Sequence, residues 1–169
     1  MALSKIDGTN FIEGTVPSTV APGAGKVLQV VQSVIPSAAQ DSTSATYADV
    51  SGSEVSLTPS STSSKILFRF DLSSVRKFSA NTYAGFKIFR KIGTGSYSEL
   101  DLIVGGHLYT GSTAINTGCL VASYLDSPST TDIVYYKIQF NNTPASGTIR
   151  IHPDSTELST TTLMEVAGW

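Results

Sequence analysis

Gly23-Ala24-Gly25-Lys26 ends like a phosphate-cradling loop. That loop needs a glycine five residues before its Gly-Lys pair and a Ser or Thr after the lysine. Val20 and Val27 hold those positions, so the stretch reads as a turn entering a strand. His107 and His152 stand 45 residues apart, too few and too scattered for the three or four ligands of a zinc site. His152, beside Arg150, is expected on a solvated strand face. Cys119 opens the apolar run Cys-Leu-Val-Ala, and no neighbouring base nominates it as a nucleophile, so it is expected to be a buried small hydrophobe. Asp71, Glu99, Asp101 and Asp126 are the carboxylates that could pair for glycoside hydrolysis. Each lies at a strand end or beside serine, where capping or solvation accounts for it. The sequence therefore predicts no enzyme, no cofactor and no metal.

Two features suit binding better than catalysis. Lys65, Arg69, Arg76, Lys77, Lys87, Arg90 and Lys91 hold seven of the eleven basic residues within 27 positions. They read first as outward strand positions charged for solubility and against edge pairing. Tyr83, Tyr97, Tyr109 and Tyr124 fall near expected turns or strand ends, where rings can meet sugars. If the surface takes a ligand, Arg69, Lys87, Arg90, Tyr97 and Tyr109 are the candidate contacts. Asn141-Asn142-Thr143 matches the glycosylation pattern and is expected to be idle.

The elements that must position these residues are strands. Charged residues make up 14% of the 169-residue chain, well below the usual quarter, and hydroxyls replace them with 25 Ser and 20 Thr. Threonine suits a pleated surface, and 14 Gly and 7 Pro supply turns. Net charge is −2, which points to neither nucleic acid nor an anionic membrane as partner. One cysteine allows no intrachain disulfide. No apolar run reaches the length of a membrane span, and MALSKIDGTNF has no apolar core of a secretory signal.

Period-two alternation begins at Lys26. It predicts about nine strands, near 26–34, 54–57, 65–71, 82–92, 100–104, 120–125, 132–140, 148–152 and 161–167, with 37–53 a loop around a short Thr-Tyr-Ala-Asp-Val piece. Ile66, Phe68, Phe70, Val134, Tyr136, Ile138, Phe140, Ile149 and Ile151 are the expected core. No segment carries a capped helical period. The fold class is all-β, an antiparallel, jelly-roll-like sandwich over 26–169. Residues 1–25 are Gly- and Pro-rich with scattered apolar residues. They are expected to form an extended arm that packs on another chain, with Ile6, Phe11, Ile12 and Val16 as apolar pegs.

Several stretches carry a family resemblance: GKVLQVVQ (25–32), VSLTPSSTSSKILFRF (55–70), FKIFRKIGTG (86–95), SYLDSPSTT (123–131), YYKIQF (135–140) and TLMEVAG (162–168). Together they resemble the head module of tail-fibre-like virion proteins of marine bacteriophages, seen also in large algal viruses. The resemblance covers about 25–168, and IDGTNFIEGTVPSTVAP is similar to the connector before fibre heads. It implies a non-enzymatic, homotrimeric virion component bound to capsid or tail proteins through residues 1–25. With so short an arm, it implies a short fibre or capsid-bound knob. The alternative it leaves open is a fibre tip that binds a host-surface glycan.

Overall fold

A computed structural model describes residues 25–152 and 156–168. The arm pegs Ile6, Phe11, Ile12 and Val16 lie outside the described residues. Eleven strands follow in order: β1 (Val27–Ile35), β2 (Gln40–Ser42), β3 (Ala48–Asp49), β4 (Val55–Leu57), β5 (Lys65–Lys77), β6 (Ala84–Ile92), β7 (Ser98–His107), β8 (Asn116–Asp126), β9 (Val134–Asn142), β10 (Ile149–Ile151) and β11 (Ser159–Val166). They form two antiparallel sheets. One holds β1, β11 and β5 in sequence, with β8 on the far side of β5 and β10–β2 beside its C-terminal half. The other runs β3–β9–β6–β7, with β4 also on β9. If the eight principal strands β1, β4, β5, β6, β7, β8, β9 and β11 are ranked along the chain, the sheets read 1-8-3-6 and 2-7-4-5. That is jelly-roll topology, as the alternation predicts.

The inward faces meet in one core. All nine expected core residues are buried in it, joined by Ile35, Leu57, Leu72, Val75, Phe86, Ile88 and Leu163. Phe68 of β5 stacks on Tyr136 of the opposite sheet, with centroids 5.5 Å apart, and lies 6.0 Å from Phe70.

The hydroxyl-rich turn before β5 is built around one carboxylate. Glu165 of β11 points inward and is 1% exposed. Its Oε1 accepts from Ser60 N (2.7 Å), Ser60 Oγ (2.7 Å) and Ser64 Oγ (2.6 Å). Its Oε2 accepts from Gln29 Nε2 (2.7 Å), which also donates to Thr58 O (2.8 Å). Burial pushes the Glu165 carboxyl up, but the donors from Ser60, Ser64 and Gln29 together outweigh it and hold the group below its ordinary 4.5. A carboxyl lowered on folding stabilises above its unfolded value and loses that stabilisation as pH falls through the folded one. Wild-type stability is therefore expected to drop from about pH 4.5 downward, and Glu165→Gln to flatten that part of the profile. Urea midpoints between about pH 5 and about pH 3 check this; identical slopes for both proteins would refute it.

Three sequence expectations are corrected. His152 is fully buried. It leaves β10 with φ 53°, a left-handed turn that breaks the strand alternation and swings the ring inward. There Nε2 meets Ser159 Oγ at 2.6 Å, and the backbone N donates to Ser74 O (3.1 Å) at the bulge of β5. Cys119 is exposed, because β8 turns Leu120, Ala122 and Tyr124 inward and its odd-numbered residues outward. Lys77 is not an outward charge: it is fully buried and donates to Thr110 O at 3.0 Å and to Thr110 Oγ1. The 37–53 loop also contains two short strands, β2 and β3.

Candidate functional site

The carboxylates singled out by sequence are held apart by their partners. Asp71 pairs with Arg69 (3.0 Å) on the outer face of the β5 sheet. Glu99 pairs with Lys87 (2.7 Å) on the outer face of the β6 sheet. Asp126 lies between the sheets: Arg90 Nη1 donates to both its oxygens (2.9 and 2.7 Å), and Tyr136 OH donates to Oδ2 (2.7 Å). Burial first, then the hydrogen bond to Asp126, pushes the Tyr136 phenol far up, so it stays a donor. This trio joins β8 to β6 and β9 through the interior.

His152 and Ser159 have the distance of a base and nucleophile, a pairing the sequence pattern does not signal. Both are fully buried, and among the described residues His152 Nδ1 has no acid to orient it. Ser159 Oγ instead accepts from Ser73 N (3.0 Å), so the pair serves the bulge. His107 lies against Phe86, with centroids 6.1 Å apart, and burial holds its pKa down. Among the described residues, no group of three or more His, Cys, Asp or Glu is placed to hold a metal.

The five candidate ligand contacts do not converge. Arg69 is on one outer face, and Arg90 is tied to Asp126 in the interior. Lys87 holds Glu99 and lies 4.6 Å over the Tyr47 ring. Tyr97 and Tyr109 flank the two ends of β7, ten residues long. Tyr124 packs against the core.

Around Tyr97 the outer face of the second sheet is charged and aromatic. Lys137 Nζ lies 4.0 Å over the Tyr97 ring and 2.7 Å from Asp49 Oδ2. Lys91 Nζ lies 4.0 Å over Tyr135 and 5.0 Å from the Tyr97 centroid. Burial, then the hydrogen bond to Glu54, pushes the Tyr97 hydroxyl up. A cleft of about 300 Å³ beside it is lined by residues 49–54 and Lys137. Lys137 is paired with Asp49, Glu54 accepts from Tyr97 OH and Lys91 lies over tyrosine rings, which suits a solvated face. At the other end of β7, Tyr83 and Tyr109 meet edge to face at 5.7 Å beside Gly105 and Gly106, around a cavity of about 430 Å³.

No protein-family model matches the chain. No curated protein matches it either. Solved structures of infectious bursal disease virus align with the chain. The Gx strain aligns with 10% identity and a TM-score of 0.44, over 83% of this chain and 37% of that one. A crystal structure of the viral particle gives 9% and 0.43, over 85% and 37%. The VP2 subviral particle gives 11% and 0.39, over 83% and 38%. The chain thus spans little more than a third of the length of those it aligns with.

Proposed function

We propose that this protein is a non-enzymatic structural component of a virus particle that associates with itself through the β5 sheet. The observation that carries this reading is how little guards the edges of that sheet among the described residues, where the one irregularity in β1 lies at its start, between Val27 and Gln29. Among the described residues, its edge strands β1 and β8 each pair on one side only. Strand β1, Val-Leu-Gln-Val-Val-Gln-Ser-Val-Ile, has no charged residue, and the one charge in β8 is Asp126, which points inward. Solitary β-proteins block such edges with lysine, proline or bulges, because unpaired N–H and C=O groups invite another strand.

The outer face between these edges carries one apolar row: Val30, Met164, Leu67 and Leu125 lie in register across four strands. The next row is polar, with Gln32, Thr162, Arg69 and Ser123, and in the one after it Val34 and Val121 stand at the two edges with Thr160 and Asp71 between them. Val30, Val34, Val121 and Leu125 are each about half exposed. The edge strand β7 of the other sheet, by contrast, carries Glu99 and Asp101.

Strand β8 of one copy would pair antiparallel with β1 of the next. Such a head-to-tail contact closes into a ring when the rotation allows it, which suits a homotrimer. The sequence resemblance to phage fibre heads supports the virion setting. In this reading residues 1–25 anchor the protein to capsid or tail, and the head stands on the particle as a short fibre or decoration knob.

Equilibrium sedimentation at micromolar concentration is expected to give a trimer for the full chain. Val121→Lys/Leu125→Lys, both outward-facing, should give a folded monomer. A wild-type monomer would overturn the self-association, and absence of the chain from purified particles would overturn the virion setting.

A further inference from the structure

The glycines of β7 have no packing reason to be glycines. Among the described residues, a Cβ on Gly106 would meet nothing within 4 Å, and one on Gly105 only Leu102 Cδ2 at 4.0 Å; neither needs a left-handed φ. They form a bulge, since Val104 pairs with Phe86 and His107 with Ala84. A bulge explains the extra residue but not the missing side chains. Glycine inside a strand costs stability, and one use of it is to let a ligand approach the backbone.

The rest of the cavity is built to stay in place. Tyr109 follows Leu108, whose φ of 68° is strained for a bulky residue. Leu108 is held there against Gly118, where a Cβ would lie 2.9 Å from its Cδ2. Thr110 O accepts from buried Lys77 Nζ (3.0 Å) and from Asn81 N (2.9 Å), and Asn81 is itself at φ 57°. Strain of this kind clusters where a site must be preorganised. The result is Tyr109, 57% exposed, standing edge-on to Tyr83 over a bare backbone floor.

We propose that this cavity binds a neutral pyranose, one ring face on the tyrosines. Its lining, Tyr83, Gly105, Gly106 and Tyr109, has no charged side chain, which argues against acidic sugars and phosphates. Its volume of about 430 Å³ lies within the usual range of ligand sites. Tyr109 OH and the exposed Asn81, 3.4 Å apart, supply polar groups at the rim for sugar hydroxyls. An added peptide strand fits less well, because the bulge breaks the regular spacing of the β7 edge. Its lining includes no residue of β1 or β8, and Gly118 of β8 only backs Leu108, so the site is separate from the edges of the self-association proposed above.

The test uses the full-length chain, methyl glycosides of glucose, galactose, mannose and N-acetylglucosamine, and an array of neutral and sialylated oligosaccharides. Saturation transfer to the ring protons of at least one glycoside is expected. Tyr109→Ala and Gly106→Leu should each weaken it about tenfold or more. Both positions are open to solvent, so the circular dichroism melt should not move. Retention of neutral oligosaccharides as well would identify a glycan site, and glycosides alone a single-residue site; both uphold the proposal. No response to any neutral sugar, a response only to sialylated ones, or one untouched by both variants would overturn it.

Discussion

Phe68→Ala is expected to lower stability by about 3–5 kcal/mol, the top of the range for truncating a core side chain. Phe68 is fully buried in the first half of β5, and its ring bridges to Tyr136 of the opposite sheet as well as to Phe70. Removing it costs the transfer energy of the ring and leaves a cavity between layers that are each fixed by their own ladders, so collapse is limited. For a domain of this size the melting temperature should fall on the order of 10 °C. Urea midpoints for the two proteins measure the difference. An unchanged midpoint would mean that β5 does not face the sandwich interior through its even-numbered residues.

The second large effect belongs to Arg90. Arg90→Met leaves the Asp126 carboxylate, 7% exposed, with only Tyr136 OH and Ser127 N as donors. Breaking a buried ion pair by removing one partner strands the other charge, at a cost of about 3 kcal/mol for this pair because Arg90 is partly exposed. Replacing the whole network by apolar groups removes that penalty. The triple variant Arg90→Met/Asp126→Leu/Tyr136→Phe should therefore recover to within about 1 kcal/mol of wild type. Strictly additive losses across the three substitutions would show that the groups act separately rather than as one network.

Much of the fold is legible in the sequence because most strands are apolar on one face only. In 65–71 and 132–140 the alternation assigns the inward residues outright, and Pro59 with the serine run marks the break between β4 and β5. Where both faces are apolar, period two cannot choose between them. Cys-Leu-Val-Ala in β8 is such a case, and the pattern puts Cys119 on the wrong side. His152 defeats the pattern for another reason: a left-handed residue at a strand end reverses the parity, and nothing in Ile-Arg-Ile-His announces it. Lys77 and the Arg90–Asp126 pair depend on which strands become neighbours, information that local pattern does not hold. The candidate cavity is half visible in the sequence. Tyr83 and Tyr109 stand out as rings near turns, but the role of Gly105-Gly106 requires knowing that nothing packs above them.

The pairing of β1 with β11 governs how the protein can be made. Strand β11 lies between β1 and β5, and Gln32 Nε2 reaches Thr162 Oγ1 across 130 residues of chain. On the ribosome, β1 and one flank of β5 therefore wait without partners until β11 emerges. The four-strand layer closes only once β11 has been made. Ladders of such high sequence separation form slowly, in milliseconds to seconds. During that interval the apolar edges that suit assembly are open to aggregation. Yield is then expected to depend on synthesis rate and temperature more than on the stability of the finished sandwich. Truncations that remove β11 should be recovered as insoluble chains rather than as a smaller domain.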